Sequence, residues 1–360
     1  MGEPIHRNTA FKEVKMQSDD HLIVTEYNDP SVFDMLSQSW NHLITLTSAN
    51  TPFLTWQWQQ LWWKEWNHGR YLRIITLREE NGRLCGIAPL YAEETREGQT
   101  LNLLGSSDLC DYLDCMVTKG EEARFYYTLL LYLASSCTKK TTLSLNSLQQ
   151  HSPTLSFFKR TPHGNDYDMD IKLEDKAPSL QLPSSFDAYL NDLTKKNRHE
   201  IRRKMRRIEK RGKTTFAKVN HPSEVMQTMP HFVKLFRTST GRKSQFLNEG
   251  RETFFLALAD EFSRMGWLEI FTLSLDETDV AYLFCFHYQG TLYLYNSAYD
   301  PAFYNLSPGI VAITYCLEDA INRGIKRFDF LRGDEPYKYH FGAQDHNLYR
   351  LTLCLPGERG

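Results

Sequence analysis

The stretch that decides the fold is residues 291–333, TLYLYNSAYDPAFYNLSPGIVAITYCLEDAINRGIKRFDFLRG. Residues 291–298 predict a strand, and residues 326–331 predict another. Between the two strands, a loop leads into a helix that ends at Gly324. The helix prediction rests on side chains at helical spacing: Ile310, Ile313, Thr314, Leu317 and Ile321. The stretch therefore predicts a strand–helix–strand unit.

The elements around this stretch complete one unit, and the first half of the chain repeats their order. In the second half, strands are predicted at residues 267–275, 280–288, 291–298, 326–331 and 348–355, with a short helix at 336–341. In the first half, strands are predicted at residues 72–78, 84–91, 101–104, 112–117, 142–145 and 167–172, with helices at 122–137 and 153–158. The predicted class is α/β (α+β), with two tandem units, each a mixed, mostly antiparallel sheet flanked by helices.

A boundary between the units is predicted at residues 174–183, which are polar and contain two prolines, as is typical of a linker. We expect domains at residues 20–175 and 184–358, with the cofactor site in the second. A single helix is predicted across residues 184–211.

Composition excludes several classes of protein. The 360 residues carry a formal net charge of −2, which argues against a whole-molecule nucleic-acid binder. The seven cysteines are scattered, and Cys110 and Cys115 lack a second pair at ligand spacing, so no metal site is predicted. No apolar run is long enough to span a membrane and residues 1–20 are polar, which predicts a cytoplasmic protein. No GxSxG, HExxH, Walker or GxGxxG pattern occurs.

A site for a pyrophosphate-bearing ligand is predicted where the loop meets the helix. The exposed amides and the dipole of a helix start favour anions. Ser307 suits an N-cap, Pro308 suits the first turn and Gly309 permits close approach of a phosphate. The same tripeptide also begins ordinary capped helices. Ser297 and Tyr299, at the end of the preceding strand, complete the predicted cofactor-binding set.

The corresponding place in the first half has a different chemistry. Residues 119–122 include Glu121 and Glu122, whose carboxylates suit the helix dipole but repel a pyrophosphate. The sequence therefore predicts that, if only one half binds such a ligand, it is the second.

A cluster of charged and aromatic residues lies in residues 328–342, at the C-terminal end of a predicted strand. In open α/β sheets, ligands bind at that edge. Its charged members are Asp329, Arg332, Asp334, Glu335 and Lys338. Lys338 and Asp334 are also spaced to form a plain surface ion pair. The cluster is interpreted as part of a site.

Two further groups of charges have two interpretations each. Asp111 and Asp114 belong to a loop that either holds a cationic amine or a metal, or consists of solvated acids. Residues 195–211 contain ten Lys or Arg, and they form either a solvated helix face or a contact for phosphate, tRNA or acidic lipid. No aromatic residues interleave with these charges, so base stacking is not predicted there.

Several short motifs occur in a characteristic order. They are PFLTWQW (52–58), WW (62–63), GIAPLY (86–91), DYLD (111–114), LTKKNRHEIRRK (193–204), SPG (307–309) and FLRGDEPYK (330–338). Together they resemble the CelD-like, cellulose-biosynthesis-associated acetyltransferase family of the GNAT superfamily. That family is similar to the Fem peptidoglycan aminoacyltransferases, whose Lys-x-x-Phe-Gly pattern is matched by Lys338, Phe341 and Gly342.

The resemblance implies two tandem GNAT-like units and an N-acyltransferase. The acyl group, expected to be acetyl, passes from acetyl-CoA or another acyl-CoA to an amine of a small molecule or an envelope-polysaccharide precursor. The usual Arg/Gln-x-x-Gly-x-Gly/Ala loop is replaced by residues 304–309, so an acyl carrier protein or a charged tRNA remains open as the donor. The alternatives are tRNA-dependent aminoacyl transfer and a non-catalytic double-GNAT scaffold of a polysaccharide-synthesis complex.

The predicted mechanism is direct attack of a neutral amine on a thioester, with the oxyanion held by a backbone N–H in residues 293–297. Tyr337 or Tyr339 protonates the leaving thiolate, or Lys338 stabilises the oxyanion. The predicted catalytic residues are Lys338, Tyr337, Tyr339, Asp334 and Glu269, the last two as bases through water. The predicted substrate-binding residues are Arg332, Asp111, Asp114 and Asp300.

Overall fold

Two sheets flanked by helices organise the protein. The computed structural model describes residues 12–14, 22–106, 108–160, 168–238 and 246–355. The strands are β1 (Lys12–Val14), β2 (Ile23–Tyr27), β3 (Tyr71–Arg78), β4 (Leu84–Thr95), β5 (Gly98–Leu103), β6 (Met116–Val117), β7 (Thr141–Gln149), β8 (Asp168–Lys176), β9 (Ser179–Gln181), β10 (Thr214–Val219), β11 (Leu268–Leu275), β12 (Thr278–Tyr288), β13 (Thr291–Tyr299), β14 (Arg327–Asp329) and β15 (Asn347–Leu355).

The helices alternate with these strands. They are α1 (Val32–Leu46), α2 (Trp56–Trp66), α3 (Glu122–Ser136), α4 (Pro153–Arg160), α5 (Phe186–Asp192), α6 (Lys195–Glu209), α7 (Pro222–Arg237), α8 (Glu249–Arg264), α9 (Pro308–Asn322) and α10 (Pro336–His340), with 3₁₀ helices at Pro52–Leu54 and Pro301–Leu306. None of the helices in the described residues is long and apolar enough to cross a membrane.

The chain divides into two units, each with its own sheet. The first unit comprises Met1–Asp175 and Asn347–Gly360, and the second comprises Lys176–His346. The first sheet has the order β1-β2-β3-β4-β5-β7-β15-β8, with β6 paired to β4, and the second has the order β10-β11-β12-β13-β14-β9. The mixed α/β class with two sheets flanked by helices is confirmed.

Both units share one arrangement of strands and helices. In each, four antiparallel strands are followed by a helix and by a strand parallel to the fourth. In the first unit the strands β2 to β5 are followed by α3 and β7, and β7 runs parallel to β5. In the second unit β10 to β13 are followed by α9 and β14, and β14 runs parallel to β13.

The apolar face of α9 fixes the position of its first turn. Val311, Ala312, Cys316 and Leu317 are buried, and the helix packs against β11, β12 and β13. Complete burial of a Val or Leu side chain contributes roughly 1.5–3 kcal/mol. Pro308 occupies the first turn, where a missing N–H costs no hydrogen bond. The helix therefore begins at the end of β13, as the sequence predicts.

The last strand lies in a different sheet from the one that the domain range 184–358 implied. β15 pairs with β7 of the first unit, in a register that joins Leu351 to Leu145 and Leu353 to Leu143. The alternation of leucines in residues 347–355 specifies a strand with one buried face, but it does not specify which sheet receives that strand.

Three further sequence expectations differ from the structure. The proposed linker contains β9, which pairs with β14, and Leu180 within it is buried. The helix expected at residues 184–211 is two helices, because Thr194 caps α6 by accepting a hydrogen bond from the Asn197 N–H. The strand expected at residues 112–117 is limited to Met116–Val117.

Candidate functional site

A cavity of about 550 Å³ lies at the start of α9 in the second unit. Its lining residues come from α6, β13, the 3₁₀ helix, α9 and α10: Glu200, Arg203, Lys204, Arg207, Ser297, Tyr299, Tyr304, Asn305, Ser307, Pro308, Gly309, Ile310, Ile313 and Tyr337. All five residues predicted to bind a cofactor are therefore brought together in one cavity. A cleft filled by side chains would favour the non-catalytic scaffold, whereas this cleft is open.

The cavity opens where β13 and β14 diverge. Within the described residues, β13 pairs with β14 only at Thr291–Tyr293, although β13 continues to Tyr299. A bulge in the β12–β13 pairing, near Phe284 and Leu294, lies at the same level. Bulges increase the local bend and twist of a strand, which turns β13 away from its neighbour. The later part of β13 stays paired with β12, and Ser297 and Tyr299 within it line the cavity.

The first turn of α9 has an unusual cap. Ser307 is left-handed, with φ 55° and ψ 50°, and its side chain forms no cap hydrogen bond to the helix. Its hydroxyl instead accepts a hydrogen bond of 2.9 Å from the Arg207 guanidinium. Ser307 occupies the N-cap position, as predicted, but its side chain does not cap the helix, so the first amides of α9 keep their capacity to bind an anion.

Helix α6 supplies a charged wall that the sequence analysis did not assign to the cavity. Glu200, Arg203, Lys204 and Arg207 follow the i, i+3, i+4, i+7 spacing of one helix face, and all four line the cavity. Ile201 and Ile208 of the same helix are buried and fix this orientation. The spacing was visible in the sequence, but the basic side chains on every face of the helix concealed it.

One carboxylate lies within this basic wall. Glu200 accepts hydrogen bonds of 2.8 and 2.7 Å from Arg203, and its carboxylate lies 3.4 Å from the Lys204 ammonium. The hydrogen bond from Arg203 lowers the pKa of Glu200 to about 2. Glu200 is therefore ionised at neutral pH and offsets part of the positive charge of the wall.

The two ends of the cavity differ in chemistry. At one end, Arg207 contacts Ser307 at the start of α9. At the other side, α10 contributes Tyr337 to the lining, and the Tyr189 hydroxyl, on the helix preceding α6, donates to the Phe341 carbonyl after α10 at 3.0 Å. Tyr337 lines the cavity from α10, and burial raises the pKa of its hydroxyl, so it is protonated at neutral pH.

Lys338 points away from the cavity lining. Its side chain is 2% exposed and its ammonium donates to the carbonyls of Leu331, Arg332 and Gly333 at 3.0, 2.7 and 2.9 Å. Glu335 lies 2.9 Å from the same nitrogen. Leu331 has a φ of 60°, so the ammonium holds together a turn with a left-handed residue. The geometry is that of a cation that fixes the turn after β14.

Glu269 lies outside the cavity lining and is already engaged. It forms hydrogen bonds of 2.6 and 2.7 Å with Arg323, and His287 lies 3.6 Å away. Burial alone would raise the pKa of Glu269, but the hydrogen bonds from His287 and Arg323 lower it to about 2. A carboxylate this acidic is a weak base at neutral pH.

The remaining candidates of the second unit also lie outside the lining of the cavity. The Tyr339 hydroxyl donates to Asp345 at 2.6 Å, and this bond raises the pKa of Tyr339 to about 12. Asp334 is exposed. Asp300 caps the 3₁₀ helix by accepting from the Ala302 N–H at 2.9 Å. The Arg332 carbonyl is one of the three acceptors of the Lys338 ammonium.

Asp111 and Asp114 belong to the first unit, and the structure separates their environments. Asp111 is half-buried, whereas Asp114 is fully buried and accepts from the Cys115 N–H at 2.8 Å and from the Thr154 hydroxyl. Burial raises the pKa of Asp114 to about 7, against the hydrogen bonds that favour its ionised form. The interpretation of these acids as solvated is wrong for Asp114.

The corresponding helix start in the first unit is occupied by its own carboxylates. The Gly120 N–H donates to Glu122 at 2.8 Å, and Glu121 forms ion pairs with Arg83 and Arg124. The anion-binding capacity of this helix start is therefore satisfied within the unit.

A match to a known protein family falls within one of the two units. Residues 195–339, within the second unit, match a family described as an acetyltransferase (GNAT) domain. No curated protein matches the sequence.

Several solved structures share the fold over most of the chain. FemX is 13% identical, with a TM-score of 0.60 over 87% of this chain and 95% of that chain. A conserved protein of unknown function from Bacteroides thetaiotaomicron is 11% identical, with a TM-score of 0.57 over 89% of this chain and 97% of that chain. L-PGS from Bacillus licheniformis is 10% identical, with a TM-score of 0.52 over 90% of this chain and 91% of that chain.

These findings set the class of the protein. The chain contains a GNAT acetyltransferase domain and is an acyltransferase. The chain has the fold of FemX over 87% of its length.

Proposed function

We propose that the protein is an N-acyltransferase that takes its acyl group, expected to be acetyl, from acyl-CoA. The acceptor is an amine of a small molecule or an envelope-polysaccharide precursor. The observation that carries the proposal is one cavity that combines the first turn of α9, the basic wall of α6 and the diverging end of β13. The helix turn and the basic wall suit a pyrophosphate, and the end of β13 suits a thioester.

The pyrophosphate of CoA binds at the first turn of α9. The amides and dipole of the helix favour negative charge there, and no carboxylate side chain caps the turn. Arg207 reaches this turn through its hydrogen bond to Ser307. Lys204 lies three residues before Arg207, on the same face of α6. Charge-assisted hydrogen bonds from these cations strengthen the contact.

The thioester lies against the part of β13 that has left β14. The amine nitrogen attacks the thioester carbonyl, the C–S bond breaks and the amine loses a proton to water. A backbone N–H of residues 293–297 stabilises the oxyanion, because this part of β13 runs past its pairing with β14 into the cavity lining. Tyr337 gives its proton to the leaving thiolate, which its protonated state at neutral pH permits.

Lys338 acts on this chemistry through the backbone. By holding the carbonyls of Leu331, Arg332 and Gly333, its ammonium fixes the turn between β14 and α10. Tyr337 is the preceding residue, so the turn sets where its hydroxyl lies. Lys338 is therefore a positioning residue in this proposal.

The proposal is tested by two neighbouring arginines of α6. Arg207 lines the cavity, whereas Arg206 is exposed and serves as the matched control. Arg207→Ala removes a charged contact to the phosphates, and we expect it to weaken CoA binding about 10-fold by isothermal titration calorimetry. Arg206→Ala should bind CoA as the native protein does.

Two results would contradict the proposal. One is native protein that shows no calorimetric binding of CoA and no rise of Tm with acetyl-CoA. The other is equal weakening by both arginine substitutions, which would mean that only the overall charge of α6 matters. A panel of amines, with release of free thiol from acetyl-CoA as the readout, then identifies the acceptor.

A second candidate function is aminoacyl transfer from charged tRNA. It is favoured by the solvent face of α6, which we define as Lys195, Lys196, Arg202 and Arg206, all exposed. None of these four forms an ion pair with the rest of the described chain. A tRNA donor predicts a steep linear loss of log affinity with log salt concentration, whereas a shallow slope and insensitivity of activity to RNase would exclude it.

We further propose that the chain resembles the CelD-like acetyltransferases in function as well as in motif order and that it works in the cytoplasm. The motif order of the first half and the basic segment 193–204 support this functional resemblance.

A further inference from the structure

One aromatic residue that lines the cavity, Tyr304, is largely exposed. Tyr304 is 69% exposed, the largest exposure among the large apolar and aromatic side chains of the described residues. It belongs to the 3₁₀ helix Pro301–Leu306, in which no residue is buried. Its neighbours Phe303 and Leu306 pack against the core of the second unit. The Tyr304 ring lines the cavity instead.

The backbone holds this ring at a fixed place relative to the helix start. The Ser307 N–H donates to the Tyr304 carbonyl at 2.9 Å, which ties the residue to the turn that begins α9. At the other end, Asp300 caps the 3₁₀ helix through the Ala302 N–H. Because the backbone is held in this way, stacking on a ligand orders only the side-chain torsions of Tyr304.

The chemistry around the ring is that of a nucleotide site. A planar, exposed ring stacks on any nucleobase, and such stacking contributes about 1–3 kcal/mol per base. The anion-binding turn of α9 begins three residues after Tyr304, and Arg203 and Lys204 line the same cavity. An aromatic platform, phosphate-binding amides and cations together match a base joined to phosphates.

We infer that Tyr304 is the platform on which the adenine ring of the donor stacks, so that the site recognises an adenine nucleotide and not only a phosphopantetheine arm. This inference rests on the proposed function and extends it, because it makes a nucleotide the donor and disfavours an acyl carrier protein. Adenine beside phosphate is shared by CoA and by the 3′-terminal adenosine of RNA. The experiment therefore has one arm for each source.

The test compares two ligands, each measured with the native protein and with a variant. Calorimetry gives the Kd of CoA and of 4′-phosphopantetheine, which lacks the adenine nucleotide, for the native protein and for Tyr304→Ala. We expect the variant to bind CoA about 10-fold more weakly and phosphopantetheine unchanged, because only CoA has a base to stack. Tyr304→Phe, which keeps the ring, should recover most of the lost affinity.

A matched surface control comes from the first unit. Tyr71 is 61% exposed and lies on β3, so Tyr71→Ala should leave CoA affinity unchanged. Equal weakening of CoA and phosphopantetheine by Tyr304→Ala, or no weakening of either, would overturn the inference. A short RNA ending in adenosine forms the last arm.

The outcomes separate the inference from the proposed function. If the native protein binds the RNA but not CoA, and Tyr304→Ala loses the RNA, then the platform stands and acyl-CoA is the wrong donor. If CoA binds and Tyr304 is indifferent, then the proposed function stands and the platform is wrong. If neither ligand binds, both are overturned.

Discussion

The starts of α3 and α9 occupy the same place in two units of the same arrangement, and their chemistry is opposite. At α3, Glu121 and Glu122 are engaged by Arg83 and by the Gly120 N–H. At α9, Ser307 is left-handed and offers no side-chain cap, and three cations of α6 line the space beside it. One helix start satisfies itself, whereas the other keeps its capacity for an anion.

The segments that precede the two helices differ in the same direction. In the first unit, the segment after β5 is packed into the core, with Leu109, Tyr112 and Leu113 buried. The Leu113 N–H donates to the Ser147 carbonyl on β7 at 3.1 Å, so this segment covers the flank of β7. In the second unit, the 3₁₀ helix after β13 has no buried residue. The difference teaches that one fold is either closed or open at this point, according to the length and apolarity of a single connection.

The largest expected effect comes from making the second helix start resemble the first. Gly309→Glu places a carboxylate in the first turn of α9, and like charges about 4 Å apart cost several kcal/mol near a protein surface. We expect CoA affinity to fall at least about 100-fold, measured by calorimetry.

The control for this substitution is Gly309→Ala. A Cβ at position 309 would lie 3.5 Å from Tyr299 Cδ1, an ordinary contact, so the alanine variant should fold and bind CoA nearly as the native protein does. Unchanged affinity in the glutamate variant would break the comparison between the two helix starts.

The next effect comes from the short helices α10 and α4. Helix α10 of the second unit begins Pro336-Tyr337-Lys338, whereas α4 of the first unit begins Pro153-Thr154-Leu155. Tyr337→Phe should lower kcat about 100-fold with little change in stability, because it removes a proton donor. Lys338→Met should lower the free energy of unfolding by about 3 kcal/mol, because three buried carbonyls lose their donor. Turnover and urea unfolding, measured for both variants, separate the two roles.

Tyr339→Phe is the matched control for this pair, because the Tyr339 hydroxyl is directed to Asp345 and not to the cavity. It should retain kcat. If Lys338→Met is as stable as the native protein but has lost turnover, then Lys338 acts in the chemistry and not through the turn.

The smallest effect on the site concerns the closed segment of the first unit, where we expect a change only in the pH dependence of stability. Burial raises the pKa of Asp114 to about 7 in the folded state, above the ordinary value of 3.8. Between these values the folded protein binds one proton more than the unfolded chain, so the contribution of Asp114 to stability falls as pH rises from about 4 to 7.

The measurement compares urea unfolding of the native protein and of Asp114→Asn at several pH values. We expect the difference in their unfolding free energies to change by at most about 1.4 kcal/mol per pH unit in that window, and to level off above it. Asp108→Asn, at an exposed acid of the same segment, should follow the native curve. A difference that does not vary with pH would mean that Asp114 is ionised in the folded protein.

Much of the site was accessible from local patterns. The strand at residues 291–298, the helix start at Ser307 and the contrast with Glu121 and Glu122 are properties of short stretches, and the structure places them as expected. The helices α1, α2, α7 and α8 were not predicted, although α2 carries three buried tryptophans, Trp58, Trp62 and Trp63. Dense aromatic residues obscure an amphipathic stripe, since several faces then appear apolar.

The roles of individual charges were the least accessible. Lys338 and Glu269 have residue types and positions that suit catalysis, yet Lys338 binds carbonyls of the preceding turn and Glu269 binds an arginine from a distant part of the chain. Burial and a specific partner decide whether an ionisable group is reactive, and neither is encoded in a local pattern.

The sequence by itself determined the order of the elements, the two-unit plan and the helix start that can bind an anion, because periodicity and capping are local. Tertiary contacts select the sheet that β15 joins, which is that of the first unit, and the face of α6 that lines the cavity. These depend on contacts between residues far apart in the chain, and many pairings are compatible with the same local pattern until packing selects one of them.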